Sequence, residues 1–198
     1  MTGSLSPRLR GRPAGFTLVE MLTVIGILAL LLSLTFPAMR SAYENAQINR
    51  AAQQFGDALQ AARMLALSRN APMAMRLWED PGTGDYQSFQ LWSFDENLDP
   101  HPHDRLIRLP AGIVFSPLAA HSSLLASPPA SGTGPTGGGA TARYVELLFR
   151  RDGRLDADPD AHWYITLLPE AEKQKAAPVH YRTFLIDPST GISSVFEP

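Results

Sequence analysis

A single carboxylate, Glu20, stands at the head of an apolar segment that is long enough to cross a lipid bilayer. The apolar run is 21–36, and counted from residue 16 to residue 36 the segment has 21 residues. An α-helix of that length is about 31 Å long, close to the thickness of a bilayer core. A carboxylate in such a segment costs about 2.5–3.5 kcal/mol unless it is paired. The sequence therefore predicts a membrane helix over 16–37 with one functional acidic residue.

Basic residues before the apolar segment predict its orientation. Arg8, Arg10 and Arg12 lie in a short leader, 1–15, that also contains proline and glycine. Because basic residues favour the cytoplasmic side, we expect the leader in the cytoplasm and the rest of the chain across the membrane. An ordinary single-pass anchor and a secretory signal are the alternatives. A secretory signal would place small residues after its apolar core, whereas TFPAM follows at 35–39.

The sequence GFTLVE at 15–20, followed by an apolar helix, resembles the class III signal of type IV prepilins and type II secretion pseudopilins. The resemblance implies that a prepilin peptidase cleaves between Gly15 and Phe16, and that Phe16 is then N-methylated. It makes Glu20 the assembly glutamate, which pairs with the terminal amine of a neighbouring subunit. Solvation of Glu20 at the membrane surface is the alternative. Pro37 falls where the family has a helix-loosening proline, although it could instead end the helix.

The charge and composition of the chain exclude several classes of site. The net charge is −2, and it becomes −5 when the three leader arginines are lost. From residue 71 onward there are 10 Arg or Lys against 16 Asp or Glu, a net of −6, which argues against a phosphate-binding surface. The chain has no cysteine, so disulfides, thiolate zinc sites and thiol nucleophiles are excluded.

A second helical pattern follows the membrane segment. Apolar residues recur at alternating spacings of four and three, and polar residues fill the opposite side. The apolar positions are Ile48, Ala52, Phe55, Leu59, Ala62 and Ala66. This predicts an amphipathic helix over 38–70 that ends near 68–70, because Pro72 disfavours helix in the residue before it. Its apolar stripe is expected to pack on the following domain, with a free coiled coil as the alternative.

The remainder, 71–198, is predicted to be a β-rich domain. Period-two patterns and turn residues indicate about seven strands in one or two antiparallel sheets. Candidates lie at 73–77, 86–94, 105–109, 113–115, 143–149, 162–168, 179–186 and 192–196. The segment 117–140 is rich in proline, glycine and serine and is predicted to be a flexible loop, or alternatively a partner-binding loop. The fold class is α+β, a long N-terminal helix packed on an antiparallel sheet domain, as in pilins.

Three further segments carry a narrower resemblance. The helix end AARMLALSRN at 61–70, LFRRDGR at 148–154 and FLIDPSTG at 184–191 resemble the GspH/FimT type of minor pseudopilin. RLPAGIVFSP at 108–117 and YRTFLIDPSTG at 181–191 are also similar to the prepilin-like Verru/Chthon cassette D proteins.

Other candidate sites have weaker patterns. His101, His103 and Asp104 are metal-ligand types in a polar loop, but solvation explains them better. The acidic series from Asp152 to Asp160 is spaced faintly like a calcium loop but lacks its closing glutamate, and turn chemistry explains it better. The tryptophans, Trp78, Trp92 and Trp163, are expected in the core or on a sheet surface. No catalytic residue, metal site or cofactor is predicted.

The sequence thus favours a minor pilin or pseudopilin in the bacterial inner membrane, with its C-terminal domain in the periplasm. The expected partners are the prepilin peptidase and methyltransferase, other pilins or pseudopilins, an inner-membrane assembly platform and membrane lipid. A FimT-like minor pilin that binds DNA during uptake is the alternative, although the acidic domain makes nucleic acid an unlikely ligand. An anchored enzyme would need a catalytic constellation that the sequence does not contain.

Overall fold

The computed structural model describes residues 16–136 and 139–197, and between residues 34 and 41 it describes the backbone alone. The chain divides into two compact units, Met1–Ala42 and Tyr43–Pro198. Helix α1, Leu18–Arg69, runs for 52 residues from the first unit into the second. Its backbone stays helical through position 37, so the alternative that Pro37 ends the helix is wrong.

Helix α1 ends where the sequence predicted. Asn70 has a left-handed backbone with φ 49°, and the N–H of Ala71 donates to the carbonyl oxygen of Ala66 at 3.3 Å. This is the hydrogen-bond pattern that closes many helices, and asparagine is a residue that tolerates the left-handed position. Pro72 follows and prevents the helix from resuming.

The apolar stripe of α1 is buried within the second unit, as predicted. Its buried members are Ile48, Ala51, Ala52, Phe55, Ala58, Leu59, Ala62 and Ala66. Phe55 stands at the centre and makes edge-to-face contacts with Phe89, Phe115 and Phe184, with ring centroids 4.9–5.4 Å apart. These three rings come from both sheets described below, so a single helical side chain joins the helix to the two sheets.

Ten strands and one short α-helix follow α1 in the part of the chain that the structure describes, together with a 3-10 turn at Glu170–Glu172. They are β1 (Met73–Glu79), β2 (Tyr86–Phe94), β3 (Pro100–Pro102), β4 (Ile107–Arg108), β5 (Ile113–Phe115), α2 (Ser123–Ala126), β6 (Ala130–Pro135), β7 (Thr141–Phe149), β8 (Trp163–Pro169), β9 (Arg182–Ile186) and β10 (Ser193–Phe196). The first sheet has the order β3-β2-β1-β7-β6, with β4 also paired to β2, and the second has the order β10-β9-β8-β5. Every pairing is antiparallel, which confirms the α+β class.

The prediction of an irregular flexible loop over 117–140 is wrong for much of that segment. Helix α2 buries Leu124, and β6 pairs with β7 from Ala130 to Pro135. An edge strand is held by backbone hydrogen bonds and needs no apolar face. The polar and glycine-rich sequence of β6 therefore contains no pattern from which a strand would be predicted. Gly132 lies under Tyr144, where an added Cβ would stand 2.7 Å from the phenol oxygen. Residues 137–138 lie outside the described residues.

Two turns with positive-φ glycines meet beside the end of α1. Gly153, φ +77°, lies in the LFRRDGR segment, and Gly191, φ +66°, lies in FLIDPSTG. A Cβ on Gly191 would stand 1.9 Å from the carbonyl oxygen of Gly153. Arg63 on α1 donates from Nε to the carbonyl oxygen of Thr190 at 2.8 Å, and Leu67 packs against Gly153. The two segments are therefore turns that pack on each other and on the helix.

Candidate functional site: the exposed N-terminal helix

All side chains from residue 16 to residue 33 are exposed in this chain. Twelve of them are large and apolar, with exposed fractions between 47% and 81%. A continuous apolar surface of this size indicates contact with lipid or with another protein. We call residues 16–33 the exposed helical segment.

Within the described residues, no helix is both long enough and apolar enough to cross a membrane. The span predicted at 16–37 includes residues 34–37, whose side chains lie outside the described part of the chain. The leader 1–15, with the cleavage residue Gly15, also lies outside it. The kink expected at Pro37 stays a prediction, since only the helical backbone is described there.

Thr17 caps the amino end of α1. Its Oγ1 accepts a hydrogen bond from the N–H of Glu20 at 3.2 Å, and the helix begins at the next residue, Leu18. A threonine followed three residues later by glutamate is the capping-box pattern, and an acidic residue in the first turn is favoured by the helix dipole. The sequence analysis identified Glu20 but missed Thr17, although the pattern Thr-x-x-Glu before an apolar run was there to indicate it.

Within the exposed helical segment, the carboxylate of Glu20 forms no hydrogen bond or ion pair with a nearby residue, unlike the hydroxyl groups. Thr23 Oγ1 donates to the carbonyl oxygen of Val19 at 2.8 Å, and Ser33 Oγ donates to that of Leu30 at 2.7 Å. These hydroxyls are satisfied within the helix, as an apolar environment requires. Among the described residues, Glu20 forms its hydrogen bond through its N–H and has no cationic partner. Its carboxylate is therefore available to a group from outside the described chain.

His101 lies in β3 and His103 follows that strand, and each histidine contacts a different side chain. His101 Nε2 lies 3.4 Å from Asp95 Oδ2, and His103 Nδ1 lies 3.4 Å from Arg69 Nη1. A guanidinium beside His103 opposes a cation there. Asp95 instead accepts the N–H of Asp99, and this bond together with the one to His101 holds the pKa of its carboxyl below the usual value. Within residues 16–136 and 139–197, no group of three potential ligands is placed to hold a metal ion.

The acidic series after β7 consists of turn acceptors and ion pairs. Asp152 Oδ1 accepts the N–H of Arg154 at 3.1 Å, and Asp158 Oδ1 accepts an N–H two residues on at 3.0 Å. Asp156 forms an ion pair with Arg150, whose pKa is raised by that hydrogen bond. These contacts favour the interpretation of the acidic residues as turn residues over their interpretation as a calcium-binding loop. The ion pair with Asp156 also neutralises the charge of Arg150. Arg150 is therefore less able to bind a phosphate group.

A Ser–His contact on the second sheet lacks the access that catalysis requires. His121 Nδ1 lies 3.1 Å from Ser116 Oγ, and His121 Nε2 lies 3.0 Å from the carbonyl oxygen of Ala176. His121, with Tyr164 and Tyr181, lines a cleft of about 490 Å³. Ser116 is fully buried, so its hydroxyl cannot reach a substrate. The hydrogen bond between His121 and Ala176 joins the segment after β5 to the segment between β8 and β9.

Two of the tryptophans pack on the face of the first sheet that points away from Phe55. Arg76 places its guanidinium carbon 4.0 Å from the ring centre of Trp92 and 4.3 Å from that of Tyr144. Its Nε donates to Glu146 Oε2 at 2.6 Å. Trp78 packs edge-on against Tyr144 at 5.0 Å. Trp78 and Trp92 are thus buried packing residues of a sheet, as predicted.

The amino end of the chain matches a known family. Residues 10–36 match the family described as the prokaryotic N-terminal methylation motif. The chain therefore carries that motif over its leader end and its exposed helical segment. No curated protein matches the chain.

Among solved structures, the chain is similar to a minor pseudopilin and to a type IV minor pilin. One is the minor pseudopilin EpsH from the Type 2 Secretion System of Vibrio cholerae, with 11% identity over 77% of this chain and 98% of that chain and a TM-score of 0.47. The other is the type IV minor pilin FimU of Pseudomonas aeruginosa, with 14% identity over 78% of this chain and 91% of that chain and a TM-score of 0.48.

Proposed function

We propose that the protein is a membrane-anchored structural subunit, a minor pilin or pseudopilin, that joins a pilus-like or pseudopilus-like fibre through its exposed helical segment. One observation carries this proposal. The methylation motif at 10–36 coincides with an apolar helical surface in which Glu20 is the one charged residue. A membrane protein that is processed at its amino end and presents such a helix has the parts that a helical polymer needs.

Processing creates the cation that Glu20 lacks. A prepilin peptidase hydrolyses the bond between Gly15 and Phe16, and a methyltransferase then adds a methyl group to the new amine of Phe16. An α-amino group has a pKa of about 7.7–8.0, so it is largely protonated at neutral pH. Phe16 is highly exposed and lies outside the helix, which leaves its amine accessible to another subunit.

Pairing between subunits sets the register of the fibre. In a stack of such helices, the amine of Phe16 on one subunit meets the carboxylate of Glu20 on its neighbour. Leaving either charge unpaired in lipid costs about 2.5–3.5 kcal/mol or more, so assemblies that lack this contact are disfavoured. The apolar side chains around Glu20 supply the remaining contact area with lipid and with neighbouring helices.

The second unit gives the subunit its own folded domain. Tyr43–Pro198 contains the core of Phe55 and the two sheets. We place this domain in the periplasm, with the leader in the cytoplasm, because Arg8, Arg10 and Arg12 precede the apolar segment. The inner-membrane assembly platform and sibling pilins are the partners that the proposal implies.

The mass of the mature protein tests this proposal. For protein purified from the membranes of its own bacterium, we expect loss of residues 1–15 and the gain of one methyl group at Phe16. Gly15→Val should leave the leader attached, because a peptidase that accepts glycine at this position has little room for a branched side chain. Gly11→Val, a matched change elsewhere in the leader, should be processed normally. An intact leader on the wild-type chain would refute the proposal.

A further inference from the structure

Two exposed aromatic side chains stand out in the second unit. Among the Phe, Tyr and Trp residues that the structure describes in Tyr43–Pro198, only Tyr43 and Phe196 are exposed, at 63% and 55%. Tyr43 is the first residue of the unit, and Phe196 is the last residue of β10. The other described aromatic rings of the unit are buried or half-buried, so these two are the exceptions that need an explanation.

Contacts of Arg182 place both aromatic residues at the same end of the second unit. Arg182 Nη2 donates to Asn49 Oδ1 at 2.6 Å, which ties the start of β9 to α1 six residues after Tyr43. Arg182 Nε lies 3.0 Å from Glu197 Oε1. Phe196 immediately precedes Glu197, so it lies beside the same part of α1.

Val179 adds an exposed aliphatic side chain to this end. It lies three residues before β9 begins at Arg182, and it is 61% exposed. Its N–H donates to Glu172 Oε2 at 2.8 Å, which fixes the backbone that carries it. We call the end of the second unit that carries Tyr43, Val179 and Phe196 the entry end, because α1 enters the second unit there.

Acidic residues near the entry end are paired with basic residues. The pairs, with nitrogen–oxygen distances of 2.6–3.0 Å, are Asp85–Lys173, Glu172–Lys175 and Glu197–Arg182. The chain from residue 71 onward has a net charge of −6, whereas these three pairs together carry none. Because their charges are balanced, they do not select a partner of either sign, and the exposed apolar side chains decide what the entry end contacts.

The position of the entry end along the chain favours a lipid surface. Tyr43 follows the membrane segment predicted at 16–37 by six residues, which is about 9 Å of α-helix. The headgroup layer on each side of a bilayer is about 5–7 Å thick, so Tyr43 would lie at its outer boundary. Aromatic side chains are enriched at this boundary, where an apolar ring meets lipid beside water.

We infer that the entry end of the second unit rests on the phospholipid surface, with Tyr43, Val179 and Phe196 in contact with the headgroup layer. This inference rests on the proposed membrane anchoring. The contact is driven by the burial of apolar side chains, since the neighbouring charges are already paired. It holds the second unit at the membrane until the subunit joins a fibre.

Single cysteines at the two ends of β10 test this contact, because the chain has none of its own. Ile192, just before β10, is 51% exposed and thus matches Phe196, but it lies four residues away, about 13 Å in extended backbone. The full chain is reconstituted at low density in phosphatidylcholine vesicles, with a small fluorescent dye on Phe196→Cys or on Ile192→Cys. A nitroxide attached to the lipid headgroup then quenches dyes that lie close to it.

We expect the dye at Phe196→Cys to lose about half of its emission or more, since interfacial side chains lie about 5–10 Å into the boundary between headgroups and acyl chains. The dye at Ile192→Cys should lose about a tenth or less, because it is farther from the lipid. Equal quenching of the two dyes would overturn the inference. Quenching at Phe196→Cys that appears only after other pilins are added would assign the entry end to a protein partner and would also overturn it.

A second pair of variants tests whether apolar side chains drive the contact. Tyr43→Ser with Val179→Ser, added to the dye-labelled Phe196→Cys chain, should lower its quenching to the level seen at Ile192→Cys. Met64→Ser with Leu98→Ser is the matched control, since these side chains are 51% and 62% exposed but are not part of the entry end. It should leave the quenching unchanged, and an equal loss in both double variants would contradict the inference.

The membrane anchor is checked separately in the same vesicles. A dye at Leu28→Cys, in the exposed helical segment, should be quenched by a nitroxide on the lipid acyl chain. Quenching at Leu28→Cys without quenching at Phe196→Cys would overturn this inference and leave the proposed anchoring intact. Absence of quenching at both positions would overturn the proposed anchoring as well.

Discussion

The exposed helical segment and the second unit differ in the solvent exposure of their large apolar side chains. In residues 16–33, twelve large apolar side chains are exposed by about half or more. In Tyr43–Pro198, four phenylalanine side chains are each no more than 1% exposed: Phe55, Phe89, Phe115 and Phe184. One region covers its own apolar surface, and the other leaves it for contact with lipid or other chains.

Because of this difference, the free energy gained by burying apolar side chains is released at different steps in the two regions. Burying one large apolar side chain contributes about 1.5–3 kcal/mol. In the second unit that contribution is made when the chain folds. In the exposed helical segment it becomes available only when the helix meets lipid or another subunit. Changes in the first region should therefore alter assembly, and changes in the second should alter unfolding.

The largest expected effect is on assembly. In the proposed fibre, Glu20→Leu would leave the amine of a neighbouring Phe16 without its partner, which for a buried ion pair costs about 3–5 kcal/mol. We expect the fraction of protein in sheared fibres to fall by about two orders of magnitude or more, while denaturant unfolding monitored by tryptophan fluorescence is unchanged. Glu96→Leu, at an exposed acid in the second unit, is the control and should assemble normally. Equal assembly of both variants would contradict the pairing.

The next effect should be confined to folding. Phe55 is fully buried and contacts three aromatic rings from two sheets. Phe55→Ala should lower the free energy of unfolding by about 3–5 kcal/mol, because it removes the ring and leaves a cavity. Urea denaturation followed by tryptophan fluorescence measures this change. A loss of less than about 1 kcal/mol would show that Phe55 does not join the helix to the sheets.

A smaller effect is expected at the paired turns. Gly191→Ala introduces a side chain at φ +66° and places its Cβ 1.9 Å from the carbonyl oxygen of Gly153. Gly112→Ala is matched, since Gly112 has φ +80° and nothing within 4 Å of an added Cβ. Gly112→Ala should lower the free energy of unfolding by about 1–2 kcal/mol, because a side chain is strained at positive φ. Gly191→Ala should lower it by about 1–3 kcal/mol more, because its Cβ also collides with the neighbouring turn. Equal losses in urea denaturation would mean that the two turns do not pack as described.

The smallest effect is on the acid stability of the second unit. Burial alone would raise the pKa of Glu172, but hydrogen bonds from Lys175 Nζ and from the N–H groups of Val179 and His180 hold it below its ordinary 4.5. Hydrogen bonds from Ser189 and Thr190 likewise lower the pKa of Asp187 below 3.8.

The sign of the pH effect follows from these directions. A carboxyl whose pKa is lowered by folding contributes stability that is complete above its unfolded pKa and is lost as the pH falls through the folded value. We therefore expect the free energy of unfolding to decrease below about pH 4.5, the ordinary pKa of Glu172. Glu172→Gln should weaken this dependence. An unchanged acid profile in that variant would show that its hydrogen bonds are absent in solution.

The two regions also differ in how far sequence predicts them. The helix end near 68–70 was predictable because Pro72 and the stripe around Phe55 are local signals. Strands β1, β2, β7 and β8 were predictable because aromatic, β-branched and other bulky residues are concentrated in short runs bounded by turn residues. Strand β6 was not, since its sequence ASGTGP carries no apolar alternation and only the backbone of β7 defines it. The division into two sheets depends on long-range pairing, which local patterns do not encode.

At the candidate site, the prediction reached Glu20 from its charge in an apolar run but missed Thr17. The cap was readable from spacing, because it depends on residues three apart in one turn of helix. The roles of Gly15, Phe16 and Glu20 in cleavage, methylation and assembly stay predictions that the experiments above address.

The most direct test of the central comparison measures which apolar positions are covered in the native membrane. The chain has no cysteine, so single cysteines can be introduced cleanly. Leu28 and Leu98 have similar exposed fractions, 53% and 62%, but lie in the exposed helical segment and in a loop of the second unit respectively. In spheroplasts treated with a membrane-impermeant maleimide, Leu98→Cys should be labelled rapidly, and Leu28→Cys should be labelled only after detergent is added. Equal labelling of the two positions before detergent would contradict the account.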